Sequence, residues 1–120
     1  TKSIKPHKKL DVWNMAIDVT VEIYKLSDNF PKNEIYGLTS QMRRAAVSIP
    51  SNIAEGAARQ TKKEFINYLH TAQGSLSELD NQLLIARKLG YFSEEAHMEI
   101  EKKVETISKM LTGLIKSLKR

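Results

Sequence analysis

Cysteine is absent from the 120 residues. That removes disulfides, thiolate nucleophiles and cysteine-based zinc sites, and a reducing, cytoplasmic setting is expected. Five glycines stand apart at positions 37, 56, 74, 90 and 113, so no Gly-x-Gly-x-x-Gly or Walker-type loop is available to cradle a nucleotide. Long hydrophobic runs are missing too, since no window approaches the roughly 18 apolar residues of a membrane span. The basic N-terminus, Thr1 to Lys9, leads into Asp11, Asn14 and Asp18 rather than an apolar run, so no signal peptide is expected. Histidine is scarce: no two of His7, His70 and His97 lie three or four apart, as ligands from one helix face would.

The net charge of +5 is unevenly spread. Residues 1–9 carry +4, 10–31 carry −3, 32–63 carry +4, 64–115 carry −3 and the tail from residue 116 carries +3. This is a polarised surface, not a basic shell. The length fits one domain with one core, here a flexible basic arm over 1–9 and a bundle over 10–120.

Four segments have helical periodicity. In the third, Phe65, Leu69, Ala72, Leu76, Leu79, Leu83 and Ala86 alternate spacings of four and three, with Thr61 and Glu64 as a capping box and Gly90 closing the helix. The fourth starts at Ser93 and keeps the same seam through Ile100, Val104, Ile107, Leu111, Leu114 and Leu118. Only Gly90 to Ser93 separate these two, which predicts an antiparallel hairpin. The first, Leu10 to Ser27, alternates in its middle as a strand would. Its longer window gives helical stripes at Leu10, Trp13, Ile17, Val21, Tyr24 and at Val12, Ala16, Val19, Ile23, so a mostly buried helix is predicted. The second, Tyr36 to Gly56, has Leu38, Met42, Ala45, Ile49, Ile53 and Gly56 on one side and Val47, Pro50, Ala54 and Ala57 on another. Pro50 removes one backbone donor and crowds the carbonyl of Ala46, which predicts a kink. A helix with two apolar sides predicts two neighbours, one of them a second copy of the chain, so Val47, Pro50, Ala54 and Ala57 are the candidate oligomer interface. The fold class is all-α, an antiparallel up-down-up-down four-helix bundle.

Enzyme chemistry lacks parts. Glu94 and His97 form one Glu-x-x-His pair, but His70 has Asn67 where the second glutamate of a di-iron bundle would stand. A solvated first helical turn is the plainer reading, with no metal and no cofactor. Asn67, His70 and Gln73 are compatible with a polar pocket or with ordinary exposed side chains. Ser48 and Ser51 have neither a nearby histidine nor a strand-to-helix elbow, so a hydrolase is not expected. The basic residues remain. Arg43 and Arg44 early in the second helix, the corner Arg59, Lys62 and Lys63, and Lys8 and Lys9 of the arm are candidate phosphate contacts. An equally ordinary reading is that they solvate a small domain or pair with its acidic helices. No aromatic RNP-like strand is present, so base-specific reading is not expected.

The run from Tyr36 to Gly56, through Leu38-Thr39-Ser40-Gln41 and Arg43-Arg44-Ala45-Ala46-Val47-Ser48-Ile49-Pro50-Ser51-Asn52-Ile53-Ala54-Glu55-Gly56, resembles the four-helix-bundle proteins of 23S rRNA intervening sequences. The likeness extends from about Lys9 through the fourth helix. It implies an up-down-up-down bundle, a ring-like homo-oligomer, a pentamer, and kinship with the accessory bundle of diversity-generating retroelements, which partners a reverse transcriptase and nucleic acid. The family often has an aromatic residue after Glu-Gly; here Ala57-Ala58 stand there, so no stacking is expected at that point. Together these readings describe a non-enzymatic oligomer that associates with structured RNA, or alternatively an adaptor for another protein.

Overall fold

A computed structural model describes residues 6–120, except the side chains of Lys8 and Lys9. Four α-helices make up the architecture: α1 (Asp11–Ser27), α2 (Leu38–Ala57), α3 (Lys62–Lys88) and α4 (Glu94–Leu118). Each packs on the next, and α4 closes on α1. Among the described residues there is no strand, so the alternation within α1 is resolved by its longer helical stripes. Short 3-10 turns at Pro6–Lys9 and Lys32–Glu34 precede α1 and α2. The first packs on both helices. The expected flexible arm thus falls partly on this turn and partly on residues 1–5, which lie outside the described residues.

The stripes separate clearly. Val12, Ala16, Val19 and Ile23 of α1 enter a core shared with Met42, Ile49 and Ile53 of α2, Leu69, Leu79 and Leu83 of α3, and Ile107 and Leu111 of α4. The other α1 stripe does not: Trp13 and Ile17 are half-buried, and Val21 and Tyr24 are exposed. The expectation of a mostly buried α1 is therefore corrected: one apolar face is buried in the core, while along the other Trp13 packs against the core only in part and Val21 and Tyr24 are exposed.

Small residues set how closely α2 approaches its partners. Ser48 and Ser75 share a hydrogen bond of 2.8 Å across α2 and α3, and Gly56 lies against Phe65 and Tyr68. α2 is assigned as one continuous helix with Pro50 inside it, and Pro50 is buried. The Ala46 carbonyl, which has no amide at Pro50 to accept from, lies 3.1 Å from the hydroxyl Oγ1 of Thr20 on α1.

Helix ends follow their sequence signals. Thr61 accepts the Glu64 amide at 3.1 Å, and its hydroxyl donates to the Glu64 carboxylate at 2.9 Å, so that carboxylate meets the side chain of the cap. Ser93 accepts from the Ala96 amide. Gly90 takes φ +81°, the Tyr91 amide reaches the Ala86 carbonyl at 3.0 Å and the Gly90 amide reaches Arg87 at 2.9 Å, which is the Schellman arrangement. At this end of the bundle Phe30 packs between Tyr91 and Phe92, with ring centroids 5.2 and 6.2 Å away. The Tyr91 hydroxyl donates to Glu34 at 2.7 Å, tying the α1–α2 connection to the α3–α4 turn. That hydrogen bond to a carboxylate holds the Tyr91 phenol above its ordinary pKa. Lys103 of α4 hydrogen-bonds Glu22 of α1, which likewise raises the lysine pKa.

Candidate nucleic-acid interface

The predicted basic residues fall into separate groups with different occupations. Arg43 is largely taken up within the chain. Its Nε donates to Ser27 Oγ at 2.8 Å, and its Nη2 donates to the Tyr24 carbonyl at 3.2 Å and to Asp28 Oδ1 at 2.9 Å. Its side chain is only 21% exposed. These are the groups at the end of α1, where the dipole favours a cation; the Tyr24 carbonyl also accepts the Asp28 amide at 3.2 Å. Within its own last turn α1 offers Lys25 alone. That need was readable in the sequence; which arginine of α2 would meet it was not, because it depends on the register between the helices.

Arg44, one residue on, is exposed and makes no ion pair among the described residues. Arg59 follows the end of α2 and donates to the Tyr68 hydroxyl at 2.6 Å, with its guanidinium carbon 5.0 Å from the centre of that ring. Its partner Glu55 stands 3.8 Å away, the four-residue spacing expected from the sequence. Lys62 and Lys63 are exposed in the first turn of α3. Arg44 and Arg59 are fifteen residues apart, about 22 Å along a helix axis at 1.5 Å per residue. The fold thus gives two basic points, not one patch. Lys8 and Lys9 belong to the turn before α1, and their side chains lie outside the described residues.

Between these points runs a face of α1 and α2 that the described residues cover only in part, with the Pro6–Lys9 turn at one end. One groove, of about 340 Å³, is lined by Trp13, Ile17, Thr20, Val47, Pro50 and Ala54, with His7 set edge-on to Trp13 at 4.9 Å. A second, of about 510 Å³, lies further along and includes Tyr24, Tyr36, Arg43, Arg44 and Val47. Val47, common to both, is 40% exposed. Of the residues expected at a subunit contact, Val47 is open, Ala54 and Ala57 are half-buried and Pro50 is buried in the wall of the first groove. Tyr24 and Tyr36 were not singled out from the sequence. Tyr24 read as one member of a stripe, and Tyr36 as the start of a helix that begins two residues later.

The histidines settle elsewhere. His97 is buried rather than solvated, against the Phe92 ring at 5.8 Å, with Glu101 at 3.9 Å. His70 hydrogen-bonds Gln73 at 2.9 Å on an exposed surface, and Gln73 reaches Thr112 of α4 at 3.5 Å. Among the described residues no three His, Asp or Glu side chains come together as a metal ion requires. No described helix is long and apolar enough to cross a membrane.

The model of one protein family, described as 23S rRNA-intervening sequence protein, matches residues 8–113. A crystal structure of a protein of unknown function from the S23 ribosomal protein family, from Bacteroides thetaiotaomicron VPI-5482, is similar with a TM-score of 0.79 and 27% identity, covering 88% of this chain and 98% of that one. None of the curated proteins compared with the chain matches it.

Proposed function

The chain belongs to the 23S rRNA-intervening sequence protein family, and from that premise we propose that it is a non-enzymatic, self-associating bundle that binds structured RNA through basic points repeated around the assembly. The observation that carries this reading is the pairing of an open apolar face, the groove of Trp13, Ile17, Val47, Pro50 and Ala54, with an exposed cation in the adjoining groove, Arg44, which makes no ion pair among the described residues. A face of that kind needs a partner. A second copy meeting it head to tail closes into a ring if the rotation permits, and a pentamer is the number the family resemblance suggests. Each copy then contributes Arg44 and the Lys62–Lys63 corner, so weak phosphate contacts add into avidity.

Salt titration tests the RNA part. The triple variant Arg44→Ala, Lys62→Ala, Lys63→Ala is expected to bind structured RNA at least about tenfold more weakly at low salt, with a slope of log affinity against log salt shallower by up to about 0.9 for each phosphate that is no longer neutralised. An unchanged affinity and slope would refute it. Arg43 is kept out of this variant, since its loss would report on the end of α1.

Light scattering tests the assembly. The wild type is expected above monomer mass at micromolar concentration, and Ala54→Asp is expected to shift it towards monomer, because a carboxylate in an apolar contact is costly to desolvate. A wild-type monomer would overturn the reading. The apolar face also favours a second reading, an adaptor docking on a protein such as a reverse transcriptase. A protein that co-purifies after nuclease treatment, from a chain with no RNA affinity, would support it.

A further inference from the structure

We infer that the groove beside Tyr24, Tyr36 and Arg44 docks an unpaired nucleotide of an RNA strand, its base stacked on tyrosine and its phosphate held by Arg44. This rests on the RNA-binding reading above and adds which part of an RNA enters which part of the chain. Tyr36 is 96% exposed, an aromatic ring left almost wholly in water just before α2. Tyr24 is held in place: the Arg43 guanidinium carbon sits 4.7 Å from its ring centre, and Arg43 is fixed by its three hydrogen bonds to Tyr24, Ser27 and Asp28. A ring ordered before binding loses little freedom when a base stacks on it.

The charge and polarity of the groove fit a phosphodiester. No carboxylate lines it. Of two carboxylates on the adjoining turns, Asp28 is ion-paired with Arg43, and Glu34 accepts from the Tyr91 hydroxyl and the Leu38 amide. Arg44 is left to supply the cation. Thr39 also lines the groove, and its hydroxyl is buried without a hydrogen-bond partner among the described residues. Such a group is costly to leave unsatisfied, and a small shift would let a ribose or phosphate oxygen bond it. The volume of about 510 Å³ is within the range of small-molecule sites. Because every base has a π face, stacking here binds without reading sequence, consistent with the lack of an RNP-like strand.

The test compares a single-stranded oligoadenosine with an RNA duplex of equal length, by fluorescence anisotropy across a salt series. Tyr36→Ala is expected to lose about fivefold or more in affinity for the single strand, with its salt slope unchanged and its duplex affinity intact. Tyr36→Phe is expected to restore binding. Arg44→Ala is expected to reduce the single-strand slope by about 0.7. If Tyr36→Ala binds like the wild type while Lys62→Ala, Lys63→Ala weakens binding, the nucleotide site falls and the RNA reading stands. If the wild type binds neither RNA, both fall. A drop in assembly mass on Tyr36→Ala would make the groove a contact between copies and overturn the proposal.

Discussion

Gly56→Ala is expected to destabilise the chain by about 2–3 kcal/mol, at the upper end for overpacking a well-filled interior, although alanine is the better helix former by about 1 kcal/mol. A Cβ built at Gly56 meets Phe65 Cδ1 and Tyr68 Cβ at 2.8 Å each, and the Phe65 carbonyl oxygen at 3.3 Å. A phenyl ring edge can turn aside. The Tyr68 Cβ and the Phe65 carbonyl are anchored to the α3 backbone, so relief requires α2 and α3 to separate at this contact. Gly74 and Gly113 are the controls: each lies within a helix with nothing within 4 Å of an added Cβ. There the same substitution is expected to stabilise by roughly 0.5–1 kcal/mol. Urea midpoints at one protein concentration, with an unchanged m-value, measure all three. A stabilised Gly56→Ala would show that the close approach of α2 to α3 is not what requires glycine.

The same contrast explains what the sequence disclosed. Four helices, their seams and their caps were legible because each is written locally: Thr61 three before Glu64, Ser93 before Glu94 and Glu95, Gly90 after Leu89. Gly56 was visible as one of several small residues, but Gly74 and Gly113 look no different in sequence. Only the neighbour across the helix pair distinguishes a glycine under compression from one in open space. Likewise both stripes of α1 were visible, whereas which one enters the core depends on how α1 is rotated against α2 and α4.

The candidate site was legible as residue types and much less as an arrangement. Arg43 and Arg44 are adjacent in sequence and point about 100° apart on a helix. One ends up closing α1 and the other lies exposed at the edge of the open face. The Arg59, Lys62 and Lys63 corner was readable as a unit because a helix end holds it together over five residues. The tyrosines were harder to see. Tyr24 gains its meaning from Arg43, nineteen positions away, and Tyr36 from the short turn that carries it out of the helix.

Thr20→Val is expected to cost about 1–2 kcal/mol, within the range for stranding a buried acceptor, and the cost is expected to fall below about 0.5 kcal/mol when Pro50 is also replaced by alanine. Valine keeps the shape of threonine and removes only the hydroxyl. That hydroxyl has one proton and two acceptors in reach, the Ala16 carbonyl at 2.7 Å and the Ala46 carbonyl at 3.1 Å. The Ala16 carbonyl lies inside α1 and keeps the helical amide of Thr20 when the hydroxyl is removed. Ala46 is fully buried, and the residue four along from it is proline, so its carbonyl depends on Thr20. In Pro50→Ala the helix supplies its own donor, and the two sites should therefore couple by about 1 kcal/mol in a double-mutant cycle. A Thr20→Val cost that is the same in both backgrounds would mean that the Thr20 hydroxyl donates to the Ala16 carbonyl rather than to Ala46. Coupling of the expected sign would identify Thr20 as the group on α1 that makes a proline tolerable in the middle of α2, where an interior proline otherwise costs ~3 kcal/mol.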